Sequence, residues 1–129
     1  EAGKSPMSTM APTMIFNEEG ELMLITGSPG GSLIPAAILR VITGVIDFDL
    51  DIGQATMLPR VHKDWPTTGI LYERTLNSDV VRIINKRIGH KMTAEHTMGS
   101  TQSIHVIDQT NYGFADLRRP NASVSVQTN

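Results

Sequence analysis

At 129 residues the chain has the length of one domain, which argues against two independent cores. Cysteine is absent, and this excludes a disulfide framework, a thiolate nucleophile and a cysteine-based zinc site. Thirteen acidic against eleven basic residues leave a net charge of −2, with 40% apolar and 19% charged residues. That balance describes a globular chain with no overall field toward nucleic acid or an anionic membrane.

The first dozen residues, EAGKSPMSTMAP, are rich in proline and small hydroxyl residues and read as an extended loop. A chain opening on Glu1 rather than Met also reads as a cut or processed piece of a larger product, without a secretion signal at its start. β-prone residues at 13–16 and 21–26, separated by Asn17, Glu18, Glu19 and Gly20, predict a hairpin. After GSPGGS at 27–32 the period changes: Ile34, Ala37, Ile38, Val41, Ile42, Val45 and Ile46 follow the spacing of one helix face. Ser32 is the expected N-cap, and Pro35 is tolerable in the first turn. This longest apolar stretch, 33–46, is interrupted by Arg40 and Thr43 and is too short to span a bilayer.

A short helix is expected over 52–57, then an ordered excursion over 60–69 that carries the sole tryptophan. A strand is expected at 70–73, and a helix capped by Ser78 that runs to Ile88 and stops at Gly89. Strands at 102–107 and 112–115 with a turn at 108–111 complete the pattern, and 120–129 read as a flexible tail. This order implies an α+β architecture, an antiparallel sheet with helices on one face and a bare opposite face that needs a partner.

The strongest chemical feature is Gly27-Ser28-Pro29-Gly30-Gly31-Ser32, between a strand and a helix start. Adjacent glycines leave their N–H groups unobstructed, and the helix dipole adds positive potential there, so such a turn can hold an anion or a developing oxyanion. The competing reading is a tight connection that needs glycine for sterics alone. No lysine follows the glycines, so this is not a phosphate-binding P-loop. Ser8-Thr9 offers consecutive hydroxyls able to donate to a carboxylate, although most such pairs are simply solvated. The histidines at 62, 90, 96 and 105 lack metal-ligand clustering, with His62 and Asp64 the nearest to a pair, and no metal or cofactor is expected. Asn121-Ala122-Ser123 is a glycosylation sequon by pattern only.

Taken together, GKSPMSTMAPT at 3–13, GSPGGS at 27–32, VIDF at 45–48, LPRVHKDW at 58–65, GHK at 89–91, MGSTQSI at 98–104 and YGFADLRRP at 112–120 resemble the C-terminal portion of the small subunit of gamma-glutamyltranspeptidases. The stretches stand in the family's order and cover nearly the whole chain, so 1–129 reads as the C-terminal part of such a small subunit. It implies an N-terminal-nucleophile hydrolase with an α-β-β-α sandwich. Such an enzyme passes the γ-glutamyl group of glutathione and other γ-glutamyl amides to water, amino acids or peptides. It further implies that Gly30 and Gly31 form the oxyanion hole and that Ser8 and Thr9 hold the glutamyl α-carboxylate. Thr9 stands where the family usually has serine, and Ala115-Asp116-Leu117-Arg118 where it has Ser-Asp-Pro-Arg, so a local rearrangement is expected there.

By the same resemblance the threonine nucleophile and the residue binding the α-amino group lie upstream of Glu1, and the carboxylate-binding arginine comes from the other subunit. The implied partners are the remainder of the small subunit and the large subunit of one precursor. The isolated chain is expected to be inactive and prone to self-association. Two rival readings stand beside this one: an acylase of the same superfamily acting on glutaryl or cephalosporin-type amides, and a non-catalytic scaffold of the same fold. Compartment is not legible in the residues.

Overall fold

A computed structural model describes residues 2–5, 9–66 and 69–126. Strands β1 (Thr13–Phe16) and β2 (Leu22–Gly27) form the expected hairpin. Its turn closes because the Asn17 side chain accepts from the Glu21 N–H at 2.7 Å while Gly20 takes φ +82°. A 3-10 turn, Gly31–Leu33, leads into α1 (Ile34–Ile46), which buries Ile34, Ala37, Ile38, Val41 and Val45 along one side. Ser32 is not the cap: the helix starts after Leu33 with no side-chain cap, and the Ser32 hydroxyl is turned to Asp64 at 3.4 Å.

Helix α2 (Ile52–Met57) carries a capping box in which Asp51 accepts from the Gln54 N–H at 2.8 Å. Gly44 lets the two helices meet, since a Cβ there would lie 2.8 Å from the Ala55 Cβ. Both helices pack on one face of a sheet ordered β1-β2-β6-β7, with β6 at Gln102–Ile107 and β7 at Thr110–Ala115. Leu24, Val41, Val45, Ile52 and Ala55 form the core between them, flanked by Ile15, Ile42, Leu50 and Phe114. On the opposite face the register aligns Met14, Ile25 and Ile104, and Met14 remains 64% exposed. The α+β class and the one-sided helical cover are thus as the pattern implied.

Three further expectations need correction. Strand β7 starts at Thr110, not 112, because Asp108 and Gln109 both take positive φ and close a two-residue turn that matches strand twist. There is also a second sheet, of β3 (Val61–His62), β4 (Gly69–Glu73) and β5 (Lys91–Glu95), in which β4 and β5 run parallel. The parallel pair is connected by α3 (Ser78–Ile83), which continues as a π-helical turn to Ile88 and ends at Gly89 with φ +81°. Asn77, not Ser78, caps it, accepting from the Asp79 N–H at 2.8 Å. Of the tail, the described part reaches residue 126, and Val124 lies against β7, where a Cβ on Gly113 would meet it at 2.8 Å. Among the described residues no helix is long and apolar enough to cross a membrane.

Candidate active site

The GSPGGS segment leaves the end of β2 and enters α1 as an exposed bend, with Gly30 at φ +143° and Gly31 at φ +56°. Both angles favour glycine. The carbonyls along the bend are pinned one after another. Pro29 O accepts from Ser28 Oγ at 2.8 Å, Gly30 O from the Leu33 N–H at 3.1 Å, and Gly31 O from the Ile34 N–H. In a trans peptide the N–H points opposite to the preceding carbonyl. Pinning the carbonyls of Pro29 and Gly30 therefore turns the amides of Gly30 and Gly31 the other way. Among the described residues neither amide meets a protein acceptor. Two adjacent unpaired N–H groups at the start of a 13-residue helix suit an anion or a developing oxyanion.

Thr9 is brought onto the same bend, because its hydroxyl donates to Gly31 O. Its partner in the expected hydroxyl pair, Ser8, lies outside the described residues. A hydroxyl has one proton to give. While Thr9 holds Gly31 O, it secures the bend and must turn before it can donate to a carboxylate. His62 and Asp64, the pair singled out by spacing, do meet, with Nε2 and Oδ1 2.8 Å apart. The His62 hydrogen bond holds the Asp64 carboxyl below its ordinary range, and the Ser32 hydroxyl adds to this. Among the described residues no cluster of side chains is arranged to hold a metal ion.

Behind the bend lies a group the sequence reading passed over. Arg60, Glu73, Asp116 and Arg118 form a charge-balanced network beneath the surface, with Arg60 1% and Asp116 0% exposed. Arg118 grips Glu73 with two parallel hydrogen bonds of 2.7 and 2.6 Å, and reaches Asp116 at 3.2 Å. Arg60 donates to Asp116 at 2.7 Å and to the Met98 carbonyl at 2.8 Å. Burial opposes charge on Arg60, Arg118 and Asp116, and the outcome differs among them. Desolvation, helped by the neighbouring Arg118 charge, lowers the Arg60 pKa. For Arg118 the hydrogen bonds to Glu73 outweigh burial and raise it. For Asp116 the Arg118 N–H and the Arg60 guanidinium outweigh burial and lower it. The available signal was an arginine in the apolar LPRV context and the Asp-Leu-Arg run. The replacement of proline by Leu117 leaves Asp116 and Arg118 engaged, and Leu117 itself points outward, 68% exposed.

The gamma-glutamyltranspeptidase family model matches residues 1–126. The chain belongs to that family. It is 37% identical over 116 residues, 89% of its length, to the glutathione hydrolase proenzyme of Escherichia coli (strain K12), and it covers 20% of that protein. Against the Helicobacter pylori gamma-glutamyltranspeptidase T380A mutant it superposes with a TM-score of 0.84 at 32% identity, over 92% of this chain and 66% of that one. The Pseudomonas nitroreducens enzyme complexed with L-DON gives 0.86 at 30% identity, over 98% and 67%. The chain spans about a fifth of the length of the curated relatives it matches.

Proposed function

We propose that this chain is the C-terminal part of an enzyme that transfers the γ-glutamyl group of glutathione and related amides to water or to amines, working with the rest of its small subunit and with a large subunit. The observation that carries this reading is the bend at Gly30 and Gly31, where the Pro29 and Gly30 carbonyls are held by hydrogen bonds and the two exposed glycines have amides that meet no acceptor among the described residues. When a nucleophile attacks the γ-glutamyl carbonyl, negative charge moves onto its oxygen. Amides fixed beforehand stabilise that charge without reorganising. The C–N bond then breaks, the amine leaves with a proton, and the acyl group stays on the nucleophile until water or another amine takes it. Thr9, hydrogen-bonded to Gly31 O, brings the segment assigned to α-carboxylate recognition within one contact of the oxyanion turn. That closeness suits a substrate whose carboxylate and scissile carbonyl belong to one glutamyl unit.

The test compares p-nitroaniline release from γ-glutamyl and glutaryl p-nitroanilides by the full-length protein and by this chain alone. The expected result is release from the γ-glutamyl substrate by the full-length protein only. Faster glutaryl turnover would make it an acylase, and no turnover of either would make it a scaffold.

A further inference from the structure

The bend carrying Gly30 and Gly31 is not supported by its own residues alone. The peptide that presents the Gly30 N–H begins at the Pro29 carbonyl, and that carbonyl is held by Ser28 Oγ at 2.8 Å. The same oxygen accepts from the Ser100 N–H at 3.0 Å, across 72 positions of sequence. One hydroxyl thus ties the orientation of this peptide to a distant segment. Gly99 lies directly behind, at φ +75°, where a Cβ would fall 2.8 Å from Ser28 Oγ and 3.2 Å from Pro29 O. Reciprocally, a Cβ on Gly30 would come within 3.3 Å of the Gly99 Cα, so the two segments meet with no side chain between them.

The residues on either side of Gly99 and Ser100 are gripped by the buried charges. The Met98 N–H donates to Glu73 Oε1 at 3.0 Å and the Met98 carbonyl accepts from Arg60 at 2.8 Å. The Thr101 N–H donates to Asp116 at 2.9 Å. A peptide unit turns as one plate, so holding its carbonyl aims its N–H. Gly30 offers no Cβ to restrict rotation on its own side of that plate. The aim of the amide must come from elsewhere, and on this geometry it comes from Ser28, backed by Gly99.

From this juxtaposition we infer that Ser28 and Gly99 are positioning residues for the Gly30 oxyanion donor, with the charge network as their anchor. The inference rests on the reading of Gly30 and Gly31 given above. Both acylation and deacylation pass through an oxyanion, so a misaimed amide slows turnover and leaves ground-state binding nearly unchanged. Misplacement by about 1 Å costs on the order of a hundredfold.

The experiment uses full-length enzyme with Ser28→Ala and Gly99→Ala, γ-glutamyl p-nitroanilide as substrate, burst titration to count active sites, and thermal unfolding. Expected are a fall in kcat per active site of about tenfold for Ser28→Ala and about a hundredfold for Gly99→Ala, with KM within about twofold. Ser28→Ala removes one oxygen and adds no volume, so it decides the matter if Gly99→Ala does not accumulate as folded protein. A Ser28→Ala enzyme with normal kcat per site overturns the inference, whether it loses only thermal stability or only KM. A wild-type enzyme inert toward the γ-glutamyl substrate overturns the functional reading itself, and this inference with it.

Discussion

Replacing Arg118 by alanine removes a guanidinium whose N–H groups all have acceptors. Beyond the paired bonds to Glu73 and the contact with Asp116, it donates to the Thr56 carbonyl at 2.9 Å and the Leu58 carbonyl at 3.0 Å. Glu73, 3% exposed, would keep only the N–H groups of Arg60 and Met98, each at 3.0 Å, and would face them with an uncompensated charge. Breaking a buried pair from one side costs about 3–5 kcal/mol. For a full-length protein about five times the length of this chain, a shift of roughly 1 °C per kcal/mol puts the loss in unfolding midpoint at about 3–5 °C. Arg118→Lys keeps the charge without the fork that matches a carboxylate, and should recover part of the loss. Glu73→Gln combined with Arg118→Met should cost less than the two single changes added together, because no unpaired charge stays inside. Thermal unfolding of the full-length protein followed by circular dichroism reads all of these. A midpoint within about 1 °C of wild type for Arg118→Ala would refute the argument that the network holds this part of the fold together.

Two further outcomes follow from single positions. Gly44→Ala gains about 1 kcal/mol of helix propensity, but its Cβ would sit 2.8 Å from the Ala55 Cβ and 3.1 Å from the Ala55 Cα. Overpacking of about 1–3 kcal/mol outweighs that gain, and an unfolding midpoint at or above wild type would contradict it. His105, whose Nδ1 is buried without a partner among the described residues, has its pKa lowered by burial from the ordinary 6.5. The unfolded chain takes up this proton first as pH falls, so the contribution to stability is full above 6.5 and declines below it toward the lowered folded value. His105→Gln should flatten that slope, and an imidazole NMR titration at or above 6.5 would show the reasoning to be wrong.

What the sequence made legible was whatever its local pattern encodes. The spacing of Ile34, Ala37, Ile38, Val41 and Val45 is a helix face, and the same residues are buried. The bend at 27–32 was legible for the same reason, since adjacent glycines between a strand and a helix face few alternatives. Strand β5 was not, because Lys91, Ala94 and Glu95 have low strand propensity and are recruited by parallel pairing to β4 across α3. The caps were misread by one residue, at Ser32 and Ser78. In each case a nearby side chain offered a competing arrangement, Asp64 for the Ser32 hydroxyl and Asn77 for the start of α3.

The support behind the Gly30–Gly31 bend was hidden for a different reason. Ser28 meets Ser100 across 72 positions, Arg60 meets Asp116 across 56, and Arg118 meets Glu73 across 45. No periodicity links such partners, and taken singly each looks like a solvated polar residue of its own segment. The family motifs at 98–104 and 112–120 include Ser100, Asp116 and Arg118 without indicating what these residues do. Their meaning comes from topology: β6 lies beside β2, so the segment entering β6 runs behind the bend that leaves β2. Gly27, the last residue of β2, pairs with Gln102, the first of β6, which sets Gly99 and Ser100 against Ser28 and Gly30. The register of one strand pair therefore determines what stands behind the two exposed amides, and the buried charges keep that backing in place.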